Sequence, residues 1–279
     1  MVVSLILSVG LALSAVQTDA SEADWRDVAP ENLILMETNH GPVAIELAPH
    51  FAPLHAQRMR DLAHAGFYDG LSFYRVIEGF VAQAGREEGP LPDWPALPLE
   101  TERESAGLSF VPLGNDDLYA PHVGHVDGFP AAQSEDGAQS WLIHCPGSVG
   151  MARDPEPQTG DAEFYIVLGQ GPRYLDRNYT VFGRVIDGMD ALQALHRGDR
   201  AIEGGVIQDP ALRDPILSVR LVADLPEAER AHYQVMTTEG EAFDTYKTMR
   251  RVRTAEAFVV TPPEVIEACH VPGPVRRVD

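Results

Sequence analysis

The chain has 279 residues, 44% hydrophobic and 23% charged, a composition that supports a substantial buried core in one large domain or two small ones. Its 21 basic residues stand against 42 acidic ones, a formal net charge of -21. A surface of that sign repels nucleic-acid phosphates and anionic lipid, so neither is expected as a partner.

The first twenty residues, MVVSLILSVGLALSAVQTDA, are apolar from Val2 to Val16 and then polar. That run is too short to span a bilayer and has the form of a secretory h-region followed by small residues. It predicts a signal peptide over 1–20, cleaved after Ala15 or Ala20, and a mature chain without membrane contact. No Lys or Arg precedes the run, and the competing reading is a buried N-terminal element.

Next, LILMETNHGPVAIEL holds two strand-like runs around Asn39-His40-Gly41, a hairpin signal. In APLHAQRMRDLAHAGF, Leu54, Met59, Leu62 and Ala63 fall at helical spacing, and Gly66 stands where a helix would stop. FYDGLSFYRVIEGFVAQAG reads as two short strands with turns at Asp69-Gly70 and Glu78-Gly79. From Glu87 to Pro146 prolines, glycines and acids interrupt any periodicity, which predicts a long irregular insertion. Strands return at SVGMAR, EFYIVLG and YTVFGRVI, followed by a helix in DGMDALQALHRG closed by Gly198 and a strand in DPILSVRLVADL. Beyond Pro226 the chain reads as helical as far as Val252, then as a Pro-rich tail. Many short strands with only two helices before that tail argue for a closed antiparallel β-barrel.

Cys145 and Cys269 are the two cysteines. Paired in an oxidising compartment they would close a loop of over a hundred residues, worth about 4 kcal/mol by chain entropy; two unrelated buried thiols are the alternative.

One position asks for an explanation. In FYRVIEGFVAQAG, Arg75 interrupts an aromatic and aliphatic run. On a strand it shares a face with Phe73 and Ile77, opposite Tyr74 and Val76, and a guanidinium there needs a carboxylate, a cleft or a route to water. Its company decides between these. FYDGLSFYRVIEGFVAQAG, GSVGMARDPEPQTGDAEFYIVLG and YLDRNYTVFGRVIDGMD follow in order behind the hairpin and helix. Together they resemble the cyclophilins, the peptidyl-prolyl cis-trans isomerases, over Leu33 to Val222 apart from the insertion.

The exported N-terminus and the insertion are most similar to bacterial periplasmic-type members, which implies a periplasmic location. The resemblance implies a mainly β fold: a closed eight-stranded antiparallel barrel capped by two helices, with a long loop insertion and a C-terminal helical extension. The corresponding boundaries are 31–225 for the isomerase domain, about 103–145 for the insertion and 226–279 for the extension.

By resemblance, Arg75 matches the catalytic arginine, and Gln83 matches the residue that orients it or bonds the substrate backbone. Phe80 and Val81 match pocket residues, with Val81 where methionine is usual. Met151, Ala152 and Arg153 match the Met-Ala-Asn strand that holds the substrate peptide. Glu163 and Tyr165 match the first and last residues of Gln-Phe-Phe, Tyr174 and Leu175 match a Trp/Phe-Leu pair, and Tyr179 matches a histidine. Glu163 is expected to pair with Arg75 or with Arg153. Tyr174 in place of tryptophan is expected to weaken cyclosporin binding.

The implied activity is rotation about X-Pro bonds of proline-containing polypeptides, assisting protein folding without a cofactor. A cyclophilin-fold binding module with vestigial turnover is the second reading, and Pro272 or Pro274 in VPGPVRR is a candidate for occupying the chain's own site. Among competing signals, His122, His125, Asp127, His144 and Cys145 are residue types that bind zinc, but a His-x-x-His pair in a loop is a weak motif, and no metal site is expected. The other reading of that stretch is an ordered insertion packed by Tyr119, Phe129 and Trp141. Ser140 and Ser148 lack a nucleophile-elbow context. Nothing in the sequence bears on oligomeric state.

Overall fold

The computed structural model describes residues 20–87, 91–255 and 258–278; all but the last residue of the expected signal peptide lie outside them. In chain order the strands and helices are β1 (Trp25–Asp27), β2 (Leu33–Thr38), β3 (Gly41–Leu47), α1 (Pro53–His64), β4 (Ser72–Val76), β5 (Val81–Gly85), β6 (Arg103–Glu104), β7 (Phe110–Pro112), β8 (His122–Val126), β9 (Phe129–Gln133), β10 (Gln139–Leu142), β11 (Ser148–Met151), β12 (Phe164–Val167), β13 (Val181–Asp187), α2 (Met189–Gln193), β14 (Asp214–Leu221), β15 (His232–Met236), α3 (Glu241–Arg251) and β16 (Val275–Val278).

Eight of these strands close a barrel in the order β11-β12-β5-β4-β14-β2-β3-β13, and β13 pairs back to β11. The expected hairpin opens it, with β2 and β3 in register from Leu33↔Glu46 to Thr38↔Gly41. Every second residue points inward: Ile34 and Met36 from β2, and Val43, Ile45 and Leu47 from β3, meet Phe73, Phe164, Ile166 and Phe182 in the core. Burying each such side chain stabilises the fold by roughly 1.5–3 kcal/mol.

The two helices cover the barrel. In α1, Ala56, Met59, Leu62 and Ala63 are buried, whereas Leu54 is 46% exposed. His55 takes the inner position instead, its Nδ1 2.7 Å from Glu100 Oε2. The second helix is shorter than its sequence suggests. The backbone N–H of His196 donates to Asp214 and that of Gly198 donates to Val76 O, so the chain leaves the helix before Gly198.

The insertion corrects the sequence reading. It is no irregular loop but a five-stranded antiparallel sheet, β6-β10-β9-β8-β7. Its strands run two to five residues and carry Pro112 and Pro130, too short and interrupted for alternation to register. Trp141 and Phe129 are buried as expected, whereas Tyr119 is 57% exposed.

The extension is only partly helical. Residues expected in one helix divide at the turn before Gly240: β15 lies between β1 and β16 in a three-stranded sheet, and α3 follows. Phe243 and Tyr246 of α3 pack with Val123, Trp141 and Ile143 of the insertion, so the two additions share one core. The Pro-rich tail belongs here as well. Pro274 O accepts from Met236 N, and neither Pro272 nor Pro274 enters the Arg75 site.

Covalent and ionic ties fasten this second layer. Cys145 and Cys269 form a disulfide across 124 positions. Arg184 of β13 donates to Glu46 Oε2 at 2.8 and 3.0 Å and to the Gly128 carbonyl in the β8–β9 turn; Arg26 reaches Glu46 Oε1 at 2.6 Å. Gly128 has φ +81, and a Cβ there would meet Val235 Cγ1 at 2.7 Å, so the turn docks against β15 only as glycine. None of the helices among the described residues is long and apolar enough to cross a membrane.

Candidate active site

The site starts with a break in strand pairing. Phe73 faces Ala84 across β4 and β5, and the next pair is Arg75 with Gln83, so Tyr74 is an extra residue. This bulge corrects the simple alternation expected for the strand. Phe73 and Val76 both enter the core, while Arg75 turns out to the rim beside Gln83.

Arg75 NH1 donates to Gln83 Oε1 at 3.0 Å, and its Nε donates to the Gly204 carbonyl at 2.9 Å. Among the described residues no carboxylate pairs with it. Half-burial lowers its pKa, but a guanidinium remains cationic across the working pH range.

Glu163 takes neither expected partner. Its Oε2 accepts from Tyr74 Oη at 2.7 Å and from Gln83 Nε2 at 3.1 Å; Gln83 Nε2 also reaches Tyr74 Oη. Burial raises the Glu163 pKa while those two bonds oppose the shift, and burial together with Glu163 raises that of the Tyr74 phenol. Arg153 is occupied elsewhere: its guanidinium lies 4.3 Å from the centre of the Tyr179 ring and donates to three backbone carbonyls nearby.

Beside the arginine lies a cavity of about 170 Å³. Phe80, Val81, Tyr165, Leu175 and Tyr179 supply its apolar walls, and Arg75, Gln83, Ala152 and Arg153 its polar edge. A dry cavity of roughly 150 Å³ holds benzene, so a five-membered ring fits this volume. A wider hollow of about 720 Å³ shares Arg75, Gln83, Ala152 and Arg153 and continues past Glu163 and Trp94.

Most of the residues singled out in the sequence therefore meet in one place, and three do not. The Met151 side chain enters the barrel core, Tyr174 is 62% exposed and off the cavity wall, and Glu163 lines only the wider hollow. The structure adds groups that the sequence did not suggest: the Gly204 carbonyl on Arg75, Trp94 in the hollow, and His144 behind Tyr165. A carbonyl has no residue signature, and in the sequence His144 stands out only as a metal-ligand type. The other zinc-type residues do not converge among the described residues: His122 is exposed, His125 Nε2 bonds the Val271 carbonyl at 2.7 Å, and Cys145 is in the disulfide.

An eight-stranded barrel with a cation at the lip of an apolar pocket is the architecture of a proline-isomerase fold. The profile of the cyclophilin type peptidyl-prolyl cis-trans isomerase family matches residues 33–220, and the chain belongs to that family. It is 34% identical over 219 residues to a probable peptidyl-prolyl cis-trans isomerase of Brucella suis, covering 77% of this chain and 92% of that protein. It is 31% identical to peptidyl-prolyl cis-trans isomerase B of Bacillus subtilis, over 56% of this chain and 85% of the other. The crystal structure of cyclophilin AquaCyp293 from Hirschia baltica superimposes with a TM-score of 0.76 at 30% identity, covering 93% of this chain and 96% of that one. The protein is a cyclophilin-type peptidyl-prolyl cis-trans isomerase.

Proposed function

We propose that this isomerase is exported and acts on X-Pro bonds of folding polypeptides in the periplasm, with Arg75 as its catalytic cation. The reaction needs few groups. An X-Pro bond rotates over tens to hundreds of seconds because amide resonance must be broken. Reaching milliseconds takes about 10⁴-fold or more, hence roughly 5–6 kcal/mol.

The proline ring enters the pocket formed by Phe80, Val81, Tyr165 and Leu175 while the preceding carbonyl swings. As conjugation is lost, the imide nitrogen gains a lone pair, and a hydrogen bond from the Arg75 guanidinium is stronger to that nitrogen than to the planar one. One charge-assisted bond supplies about 1.5–3 kcal/mol, so a pocket that fits the rotated form supplies the rest. Gln83 holds NH1 and thereby aims the cation. Backbone groups at Ala152 and Arg153 line the polar edge where the client chain lies.

The observation that carries this reading is Arg75 beside the cavity with an amide and a carbonyl, rather than a carboxylate, as its partners. A neutralised cation would favour the vestigial binding module. Arg75→Ala is expected to lower kcat/KM on a short proline peptide by on the order of 10- to 100-fold. Unchanged turnover would remove Arg75 from the reaction. Export rests on the apolar run at Val2–Val16, and fractionation of cells producing the full chain tests it: a chain found whole in the cytoplasm ends that part.

A further inference from the structure

His144 is a buried titratable residue for which the reaction above has no use. It lies in the link between β10 and β11 and is fully buried. Its Nδ1 and its backbone N–H both meet Asp176 Oδ1, at 2.9 and 2.8 Å, and its Nε2 lies 2.7 Å from the Tyr165 hydroxyl. A carboxylate only accepts, so Nδ1 donates to Asp176, and in a neutral imidazole Nε2 then accepts from the Tyr165 hydroxyl. The imidazole and phenol planes are near-parallel, 11° apart, with ring centres 6.0 Å from one another.

Both ends of this chain of bonds lead to the pocket. Tyr165 is one wall; Asp176 directly follows Leu175, another wall, at the close of the Arg173–Leu175 turn. Asp176 is held in its turn, since Oδ2 accepts from Arg173 Nε at 2.6 Å and the rest of that guanidinium bonds Asp117 at 3.1 and 3.2 Å. The disulfide anchors the next residue, Cys145. The Tyr165 ring is already pressed against Gly150, where a Cβ would lie 2.4 Å from its Cζ and Oη, so the bond to His144 settles the remaining freedom of the ring.

We propose that His144 is a positioning residue for the isomerisation: by holding Tyr165 at one nitrogen and Asp176 at the other, it sets the separation of the Tyr165 and Leu175 walls of the proline pocket. The inference rests on that pocket being the site of reaction. Its test is steady-state kinetics of the full chain on a short proline peptide, with Arg75→Ala alongside. His144→Asn keeps an amide for Asp176 and removes Nε2, whereas Tyr165→Phe removes the other half of the same bond and leaves His144 intact.

Each variant is expected to lower kcat/KM about 3- to 10-fold, mostly in kcat, because wall spacing favours the rotated imide over the planar one. The double variant is expected to lose no more than the more impaired of the two single variants. Losses that multiply, or a Tyr165→Phe enzyme with wild-type kinetics, overturn the proposal. Should His144→Asn not fold, Tyr165→Phe decides through its kcat and KM. An Arg75→Ala enzyme with full turnover would sink the site assignment itself, a result distinct from silent Tyr165→Phe beside an impaired Arg75→Ala.

Discussion

Arg75 is held by Gln83, and Gln83 is held by Glu163, so a carboxylate acts on the cation at one remove. This resolves the concern raised by an acid where the family has an amide: the charge does not quench the guanidinium but accepts bonds behind it. The arrangement carries a pH signature. Burial raises the Glu163 pKa above the ordinary carboxylate value of about 4.3, so the group gains a proton on mild acidification while exposed carboxylates stay charged. A protonated Glu163 offers Gln83 and Tyr74 a neutral acceptor in place of a charged one, so the bonds that hold them weaken. Wild-type kcat/KM is therefore expected to fall on acidification before the pH range in which exposed carboxylates titrate. Glu163→Gln presents a neutral acceptor at every pH, so at pH 7 it should lie about where the wild type lies once Glu163 is protonated, and it should flatten that fall. An identical acid profile in the two enzymes would separate Glu163 from the site.

The elements added to the barrel act as a unit. The insertion sheet and α3 share one apolar cluster, and Cys145–Cys269 ties the extension to the link that enters β11. Closing a loop of 124 positions constrains the unfolded chain by on the order of 4–5 kcal/mol in the entropic account. Replacing both cysteines with serine is expected to lower Tm by several degrees or more, and reductant should reproduce the shift in the wild type but not in the variant. Equal Tm values for all three samples would mean that the bridge constrains nothing. The interior of the insertion was illegible in the sequence for a local reason. Strands such as Phe110–Pro112 and Arg103–Glu104 are too short for alternation to repeat, and the partners of Arg103–Glu104 lie at Gln139 and Ser140, beyond the reach of a local pattern. The helix expected beyond Pro226 failed similarly: Tyr233 and Val235 pack against Leu33 and Val222, and pairing with β1 and β16 overrides helical propensity.

At the scale of the whole molecule, the two layers meet through buried polar groups as well as apolar ones. His125 of the insertion bonds the Val271 carbonyl of the tail, and burial lowers its pKa to about 4, with Arg184 and Lys247 acting in the same sense against the opposing Val271 bond. The unfolded chain takes up this proton below about 6.5, while the folded one resists it down to about 4. Its contribution is thus complete above pH 6.5 and lost progressively as pH falls towards 4, on the order of 3 kcal/mol. His50, also lowered by burial, adds in the same direction. Asp69, Glu100 and Asp214 have lowered pKa values, so they lose their contributions only at lower pH. His125→Gln retains a donor for Val271 and is expected to show a shallower decline in urea stability between pH 6.5 and 5. A slope equal to that of the wild type would leave His125 outside this balance.

What the chain determined by itself was whatever local order encodes: the hairpin at Asn39–Gly41, the amphipathic face of α1, the interior residues of the barrel strands, and the ordered motifs around Arg75 that carried the family resemblance. Those signals survive in one dimension because neighbouring residues share a face or a turn. Tertiary structure alone decided which partner each polar group took. Glu163 binds Gln83 rather than Arg75, His144 stands behind Tyr165, and the tail lies along β15 rather than in the pocket. Such pairings join residues tens of positions apart, and each depends on how closed sheets bring those positions together in space, which no local pattern records.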